Sequence, residues 1–454
     1  MDQNYLLNSQ TAKRLYERVR ALPVIDYHNH LSVSDICRDK RYYDIYELWV
    51  QPDPYKHRAM RMCGVEERYI TGNEPPRDKF RKWCETLPRL VGNPLYFWAK
   101  MELETVFGIT RMPNGDNSDQ IYDACNDYMA NNVVSANSLL RQFRVEYACP
   151  CVSLLDDIRA LDDNPMIFPS LRGDDLTDVT CGFVKKLEQC TGISICDLKS
   201  FLVAVEERLK VFVRQGCFFS DHALDNGFRF YADDGKNEAR FRSVLMGQRL
   251  EGEEKQRLFS YLLEFVGSKY AQYGFVLQLH IGAMRYTSSV LREVAGAAGG
   301  FAAIGNSADI CSVTRFLDTL DRKAYRLPKT ILFPLNPADN AMIATLSGSY
   351  AKDGVKGLIT QGPAWWWCDH KQGIWQMLEN SASFSLLSNF VGMTTDSRSF
   401  LSFVRHDYFR RILCDFLGEK FERNDFCCSY EELENIAVAM CYKNAKEIIQ
   451  KKEI

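Results

Sequence analysis

The chain has 454 residues, 46% of them hydrophobic and 25% charged, with a formal net charge of −3. That length is too great for one small core and fits either several domains or a large barrel with additions. The composition is that of a soluble globular protein, and so slight a charge argues against a nucleic-acid partner, which requires a basic face.

Met1 to Arg20 is polar and lacks the apolar core of a signal peptide. No run of 18 or more apolar residues marks a membrane span; Val294 to Ile304 comes nearest, but it is short and rich in Gly and Ala. The sixteen cysteines are scattered, with one Cys-x-Cys at Cys149 and Cys151, an adjacent pair at Cys427 and Cys428, and no paired Cys-x-x-Cys. They are read as reduced thiols in a cytoplasmic protein without a structural zinc site.

In chain order, residues 10–21 carry Leu15, Val19 and Leu22 along one side, the spacing of an amphipathic helix. A first strand follows at about Val24 to Tyr27. From Ser32 to Leu140 the pattern is mostly helical, punctuated by Pro52, Pro54, Pro75 and Pro76. We expect this stretch, residues 32–140, to be a helical insertion packed over one end of a main domain formed by residues 1–31 and 141–454. Strand-like runs then recur at Val145 to Cys149, Met166 to Leu171, Gly216 to Phe219, Phe275 to Leu279, Thr330 to Pro334, Leu358 to Gln361 and Val391 to Thr394. Strands alternating with helical stretches predict an α/β parallel sheet, and eight such units a closed (β/α)8 TIM barrel; an open doubly wound sheet is the competing topology. Tyr430 to Lys452 reads as an amphipathic helix ending in solvated charge.

The strand ends carry the chemistry. The first runs into Asp26-Tyr27-His28-Asn29-His30-Leu31, where residues two apart in an extended chain share a face, so His28 and His30 can hold one divalent ion. Later strands lead to Arg172, Asp221 with His222, His280, Asn336 with Asp339, Gln361 with Trp365, and Thr395-Asp396-Ser397-Arg398. In a barrel such groups gather at the C-terminal ends of the strands. Any one of them alone reads as a loop residue or helix cap. The Trp365-Trp366-Trp367 run reads as a packed wall, one indole of which can line a pocket. No phosphate-binding glycine loop and no nucleophile elbow appears.

These motifs resemble the uronate isomerase (glucuronate isomerase) family of the amidohydrolase superfamily, over nearly the whole length. The resemblance rests on Asp26 to Leu31, Tyr55-Lys56 with Arg58 to Arg61, Asn93 to Tyr96, Ser220-Asp221-His222, Leu279 to Gly282, Asn336-Pro337 with Asp339-Asn340, Ala364 to Trp366, and the long match from Val391 to Arg411. It implies one divalent metal ion, zinc or another first-row metal, held by His28, His30 and Asp396. It further implies interconversion of hexuronates with their ketoses, with Asp396 and Tyr55 handling protons, Arg172 and Arg398 binding substrate, and His280, Asp221 and Trp365 in the pocket. Isomerisation through an enediol needs a base, a proton shuttle and a Lewis acid or template, and arginine suits the substrate carboxylate; no organic cofactor is required. The partner is then a small hexuronate, with no nucleic acid and no membrane, and a homo-oligomer is compatible with the sequence.

The chain departs from the family pattern at Pro54, where a histidine is usual, at His57, Phe97 and Lys100, at Cys149 to Ser153 in place of an acidic motif, and at Gly173 in place of proline. His57 restores an imidazole near Tyr55 if that segment is extended. These changes point to a shifted substrate preference. The rival readings are a metal-dependent hydrolase, disfavoured because Gly216 to His222 offers no lysine to bridge two ions, and a non-catalytic sugar-acid binding protein.

Overall fold

The computed structural model describes residues 4–161 and 164–450, the side chain of Ala160 excepted. Met1 to Gln3 and the last two residues of the predicted Tyr430 to Lys452 helix lie outside that range. The first helix, Gln10–Val19, is capped by Ser9, whose hydroxyl accepts from Ala12 N at 3.0 Å. It buries Leu15, Tyr16 and Val19 against the helix Val404–Glu422.

The main sheet is parallel and has seven strands: β1 Val24–Asn29, β2 Val145–Ser153, β3 Ser170–Arg172, β4 Phe219–Leu224, β5 Val276–Ile281, β8 Thr330–Pro334 and β9 Ile359–Gln361, in that spatial order. β6 Ala283–Met284 and β7 Ala303–Ile304 form a separate antiparallel ribbon. Between β1 and β2 the chain is helical, as expected, and includes Pro54–Met62 and Pro94–Phe107. Within the sheet, Ile25, Tyr27, Tyr147, Cys149, Phe219, Val276, Ile331, Phe333 and Trp365 form a buried, aromatic-rich cluster. Tyr27 stacks on Phe219 at 5.5 Å. This cluster is the floor on which the polar groups sit.

Two sequence expectations are corrected. The run Gly216 to Phe219 begins too early: Gly216, at φ 69°, lies in the turn after the helix Leu198–Arg214, and the strand starts at Phe219. Asp221 and His222 therefore lie within β4, not beyond it. Val391 to Thr394 is not a strand. Gly392 at φ 107° and Asp396 at φ 45° take the left-handed side of backbone space, where a ladder cannot continue. The segment nevertheless runs beside β1: Asp396 N donates to His28 O at 3.2 Å, and His30 N to Ser397 O at 2.9 Å.

Candidate active site

Asp26 explains why two segments more than 360 residues apart meet. Its buried carboxylate accepts from Thr395 N at 2.7 Å and from Thr395 Oγ1 at 2.8 Å, and lies 3.2 Å from His406 Nε2. These bonds clamp the chain just before Asp396 onto β1. Asp396 is thereby held with Oδ1 3.3 Å from His28 Nε2 and 3.1 Å from His30 Nε2. Two donors each about 2.0–2.2 Å from one ion stand about 3.3–3.6 Å apart at the tetrahedral angle; the distances found here lie at and just under the lower end of that range, so this set fits a divalent ion. Burial opposes ionisation of Asp396, but its hydrogen bonds with His28 and His30 hold the carboxyl well below the usual carboxylate range. Burial drives His30 down to about 4, whereas the neighbouring Cys151, Asp396 and Asp221 raise His28 against the effect of its burial. The left-handed φ of Asp396, and that of Trp366 at 56°, place the unusual backbone of this region at the site, where strain is commonly held.

The neighbouring strand ends complete the floor. His280 of β5 packs on His28 with ring centroids 4.5 Å apart, stacks on Phe333 at 4.5 Å and meets Trp365 edge-on at 4.7 Å. Trp365 is fixed by donating its indole N–H to Phe333 O at 3.1 Å. Asp221 lies beneath the cavity and not on its wall, 3.7 Å from His280 Nδ1 and 3.6 Å from Arg172 Nη1. His28, Asp221 and His280 form a second donor group that overlaps the first. Arg172 of β3 is engaged by Asp174 at 2.7 and 2.8 Å and reaches His30 Nε2 at 3.5 Å. His222 turns away to Tyr270, Nε2 to hydroxyl 2.8 Å. Its ring explains Gly173: a Cβ there would stand 2.0 Å from the imidazole. Gly173 N also donates to Asp221 O at 2.8 Å, which proline could not do.

Above this floor is a cavity of about 350 Å³ whose opposite wall is the helix Pro54–Met62. Asp53 caps that helix, its Oδ1 accepting from Tyr55 N at 2.9 Å, and Pro54 occupies the first helical position, where its missing N–H costs nothing. Tyr55 and Arg58, three residues apart, share the face that lines the cavity. His57 does not: on a helix, residues two apart diverge, so the expected return of an imidazole is not realised. Burial, followed by the charge of Asp396, raises the Tyr55 phenol well above its ordinary range. Arg58 lies over Trp367 at 3.6 Å, and Arg398 also lines the cavity. Among the described residues neither is paired with a carboxylate in an ion pair.

A family model described as glucuronate isomerase matches residues 1–449. The chain belongs to this glucuronate isomerase family. A uronate isomerase of Caldanaerobacter subterraneus subsp. tengcongensis is 38% identical over 461 residues, covering 98% of this chain and 98% of that one. One of Geobacillus thermodenitrificans is 37% identical with the same coverage of both. The solved uronate isomerase of Thermotoga maritima matches with a TM-score of 0.92 at 29% identity over 99% of each chain. A putative metal-dependent hydrolase of Lactobacillus casei, at 13% identity and a TM-score of 0.56, shares the fold alone.

Of the predicted residues, His28, His30, Asp396, Tyr55, Arg172, His280, Trp365 and Arg398 meet around one cavity, with Asp221 below it. Asn336, Asp339 and Gln361 serve structure instead. Asn336 caps a turn at Ala338 N, Asp339 accepts from Ala308 N at 2.9 Å, and Gln361 donates to Asn340 at 2.7 Å. Sequence reasoning missed Arg58 as a wall residue. Its signal was the i, i+3 spacing from Tyr55 on a helix announced by Asp53-Pro54. It also passed over Cys151, two residues beyond the inward-facing Cys149 on β2.

Proposed function

We propose that the chain is an aldose–ketose isomerase that interconverts D-glucuronate with D-fructuronate and D-galacturonate with D-tagaturonate through an enediol. The observation that carries this reading is the meeting, in one cavity, of the Asp396 carboxylate and the Tyr55 phenol with Arg58 and Arg398, two guanidinium groups that have no carboxylate partner among the described residues; burial raises the phenol well above its ordinary range, and hydrogen bonds from His28 and His30 hold the carboxyl well below its own. Environments that drive two acids apart in this way assign base and acid. Asp396 Oδ1 faces the imidazoles. Asp396 removes the proton from C2 and returns it at C1, while the Tyr55 hydroxyl passes a proton between the oxygens of C1 and C2. Arg398 and Arg58 hold the substrate carboxylate by charge-assisted hydrogen bonds. Arg172, already engaged by Asp174, orients the floor. Trp365 and His280 shape the pocket.

His28, His30 and Asp396 would hold one divalent ion, zinc or another first-row metal, which supplies Lewis-acid stabilisation of negative charge on the substrate oxygens. Among the described residues no lysine lines the cavity to bridge a pair of ions, which favours one ion over the two of a hydrolase. We read the sheet as a (β/α)8 barrel whose eighth position is filled by residues 391–397, with residues 32–140 as its helical insertion; the bonds from Asp396 N to His28 O and from His30 N to Ser397 O support this. The sixteen free cysteines support a reducing, cytoplasmic location, and among the described residues no helix is long and apolar enough to cross a membrane. The test is turnover by metal-loaded protein on hexuronates, their ketoses, aldonates and the matching neutral hexoses. Rapid isomerisation of a hexuronate with a poor neutral hexose is expected. Hydrolysis of an ester or amide without isomerisation would overturn the reading.

A further inference from the structure

Cys151 stands at the C-terminal end of β2, two residues after Cys149 and so on the same inward face of the strand. β2 runs parallel to β1, with Pro150 opposite Asn29, and this register carries the Cys151 thiol to the metal-binding imidazoles. Its Sγ is 3.4 Å from His28 Nδ1, 4.0 Å from His28 Nε2 and 3.8 Å from Asp221 Oδ2. One ligand atom from each of His28, His30 and Cys151 lies within 4.8 Å of the others. In a tetrahedral site with metal–nitrogen bonds near 2.0–2.1 Å and a metal–sulfur bond near 2.3 Å, nitrogen and sulfur stand about 3.5 Å apart. The Nδ1 separation matches that value, and Nε2, the nitrogen that faces Asp396, stands 4.0 Å from the sulfur. Among the described residues Cys151 is the only cysteine of the sixteen in such a donor group.

We propose that Cys151 is a thiolate ligand of the divalent ion held by His28, His30 and Asp396, and that it gives this chain a preference for thiophilic ions such as zinc over manganese or magnesium. The inference rests on the metal site of the proposed function and adds a ligand that the site's histidines and carboxylate do not require. On binding, the sulfur–metal bond forms as the Sγ–H proton leaves to solvent. A thiolate is a soft donor that selects zinc and cobalt, whereas an all-oxygen and imidazole set is less discriminating. A thiol at this place also exposes the site to oxidation, because a sulfenic acid or disulfide at Cys151 no longer ligates.

The test uses cobalt(II) as the probe. The full chain is stripped with a chelator, titrated with cobalt(II), and its near-ultraviolet spectrum recorded. A thiolate-to-cobalt charge-transfer band is expected to grow to one equivalent in the wild type and to be missing from Cys151→Ser. That variant should still bind cobalt, more weakly by at least the roughly 10- to 100-fold that loss of even an outer partner costs. Competition between zinc and manganese, measured with a chromophoric chelator, should move toward manganese in Cys151→Asp, which offers oxygen in place of sulfur. One equivalent of cobalt bound with no charge-transfer band, or with the same band in Cys151→Ser, would overturn the thiolate ligand and leave the metal site standing. A wild type that binds no cobalt would overturn both.

Discussion

Two buried clusters of charge flank the cavity, and they differ in whether their groups reach it. Behind Tyr55, Asp53, Lys56, Glu102 and Arg405 are each at most 1% exposed. Lys56 Nζ is 2.8 Å from Asp53 and 3.5 Å from Glu102, which also accepts from the Trp49 indole. Arg405 lies over the rings of Tyr55 and Trp98 at 4.8 and 4.1 Å and donates to Thr395 O at 2.9 Å. None of these four lines the cavity. In the floor cluster His28, His30, Arg172 and Asp396 do line it. A buried charge is therefore a poor marker of function. A cluster whose charged groups line a cavity is a better one, because Asp53, Lys56 and Glu102 pair with one another behind the wall.

The comparison breaks most sharply at Tyr55, which touches both clusters. Its hydroxyl makes no hydrogen bond among the described residues, so Tyr55→Phe removes only the proton-handling group. Turnover on the preferred hexuronate should fall about 10²- to 10⁴-fold, the usual worth of a positioned acid–base group, while the urea midpoint stays within error of the wild type. A large loss of stability with unchanged turnover would move Tyr55 into the structural cluster.

Lys56→Met tests the other side. It leaves Asp53 and Glu102 buried without their cation, and breaking a buried pair in this way costs about 3–5 kcal/mol. Urea denaturation should report that loss, with KM for the folded fraction unchanged. Unaltered stability would mean that the Lys56 charge is not what holds the Tyr55 helix.

Arg398→Met sharpens the comparison on the cavity side. If its guanidinium awaits a substrate carboxylate, truncation removes one partner of a desolvated pair, about 2–5 kcal/mol, or roughly 30- to 5,000-fold in kcat/KM. The loss should appear with hexuronates and be absent with a neutral hexose, whose kcat/KM is already low. Less than threefold loss in both Arg398→Met and Arg58→Met would mean that neither holds the carboxylate.

Much of this was legible in the sequence where short-range physics decides. Thr330 to Pro334 is a continuous apolar run and became β8 with the same ends, and the His28-x-His30 spacing led to the donor pair. What was not legible depends on remote partners or on single backbone angles. Val391 to Thr394 has strand composition, but no composition reveals that Gly392 and Asp396 turn to positive φ. The clamp of Asp26 on Thr395 and His406 spans 369 and 380 positions. Pro54 shows an intermediate case: standing where the family has a histidine, it is the first residue of a helix whose cap, Asp53, stands directly before it in the sequence.

That helix also yields the smallest expected effect. Because Pro54–Met62 is helical, His57 points away from Tyr55, among Asp53, Lys56, Arg61 and Glu67. Its Nε2 is buried with no hydrogen-bond partner among the described residues. Burial lowers its pKa from 6.5 to about 4, the charge of Asp53 offsetting only part of the effect. A depressed histidine pKa means that the unfolded chain takes up a proton near pH 6.5 that the folded chain takes up only near 4. Stability is therefore full above about 6.5 and is lost as pH falls through that window. Between pH 8 and pH 5 the single site should cost about 2 kcal/mol at the linkage value of 1.36 kcal/mol per unit. His57→Gln should remove that part of the slope while leaving turnover at pH 8 unchanged, since residue 57 does not line the cavity. Urea midpoints of both proteins at the two pH values measure the difference. Parallel pH dependence in wild type and His57→Gln would show that the imidazole is solvated and that its side of the helix is open.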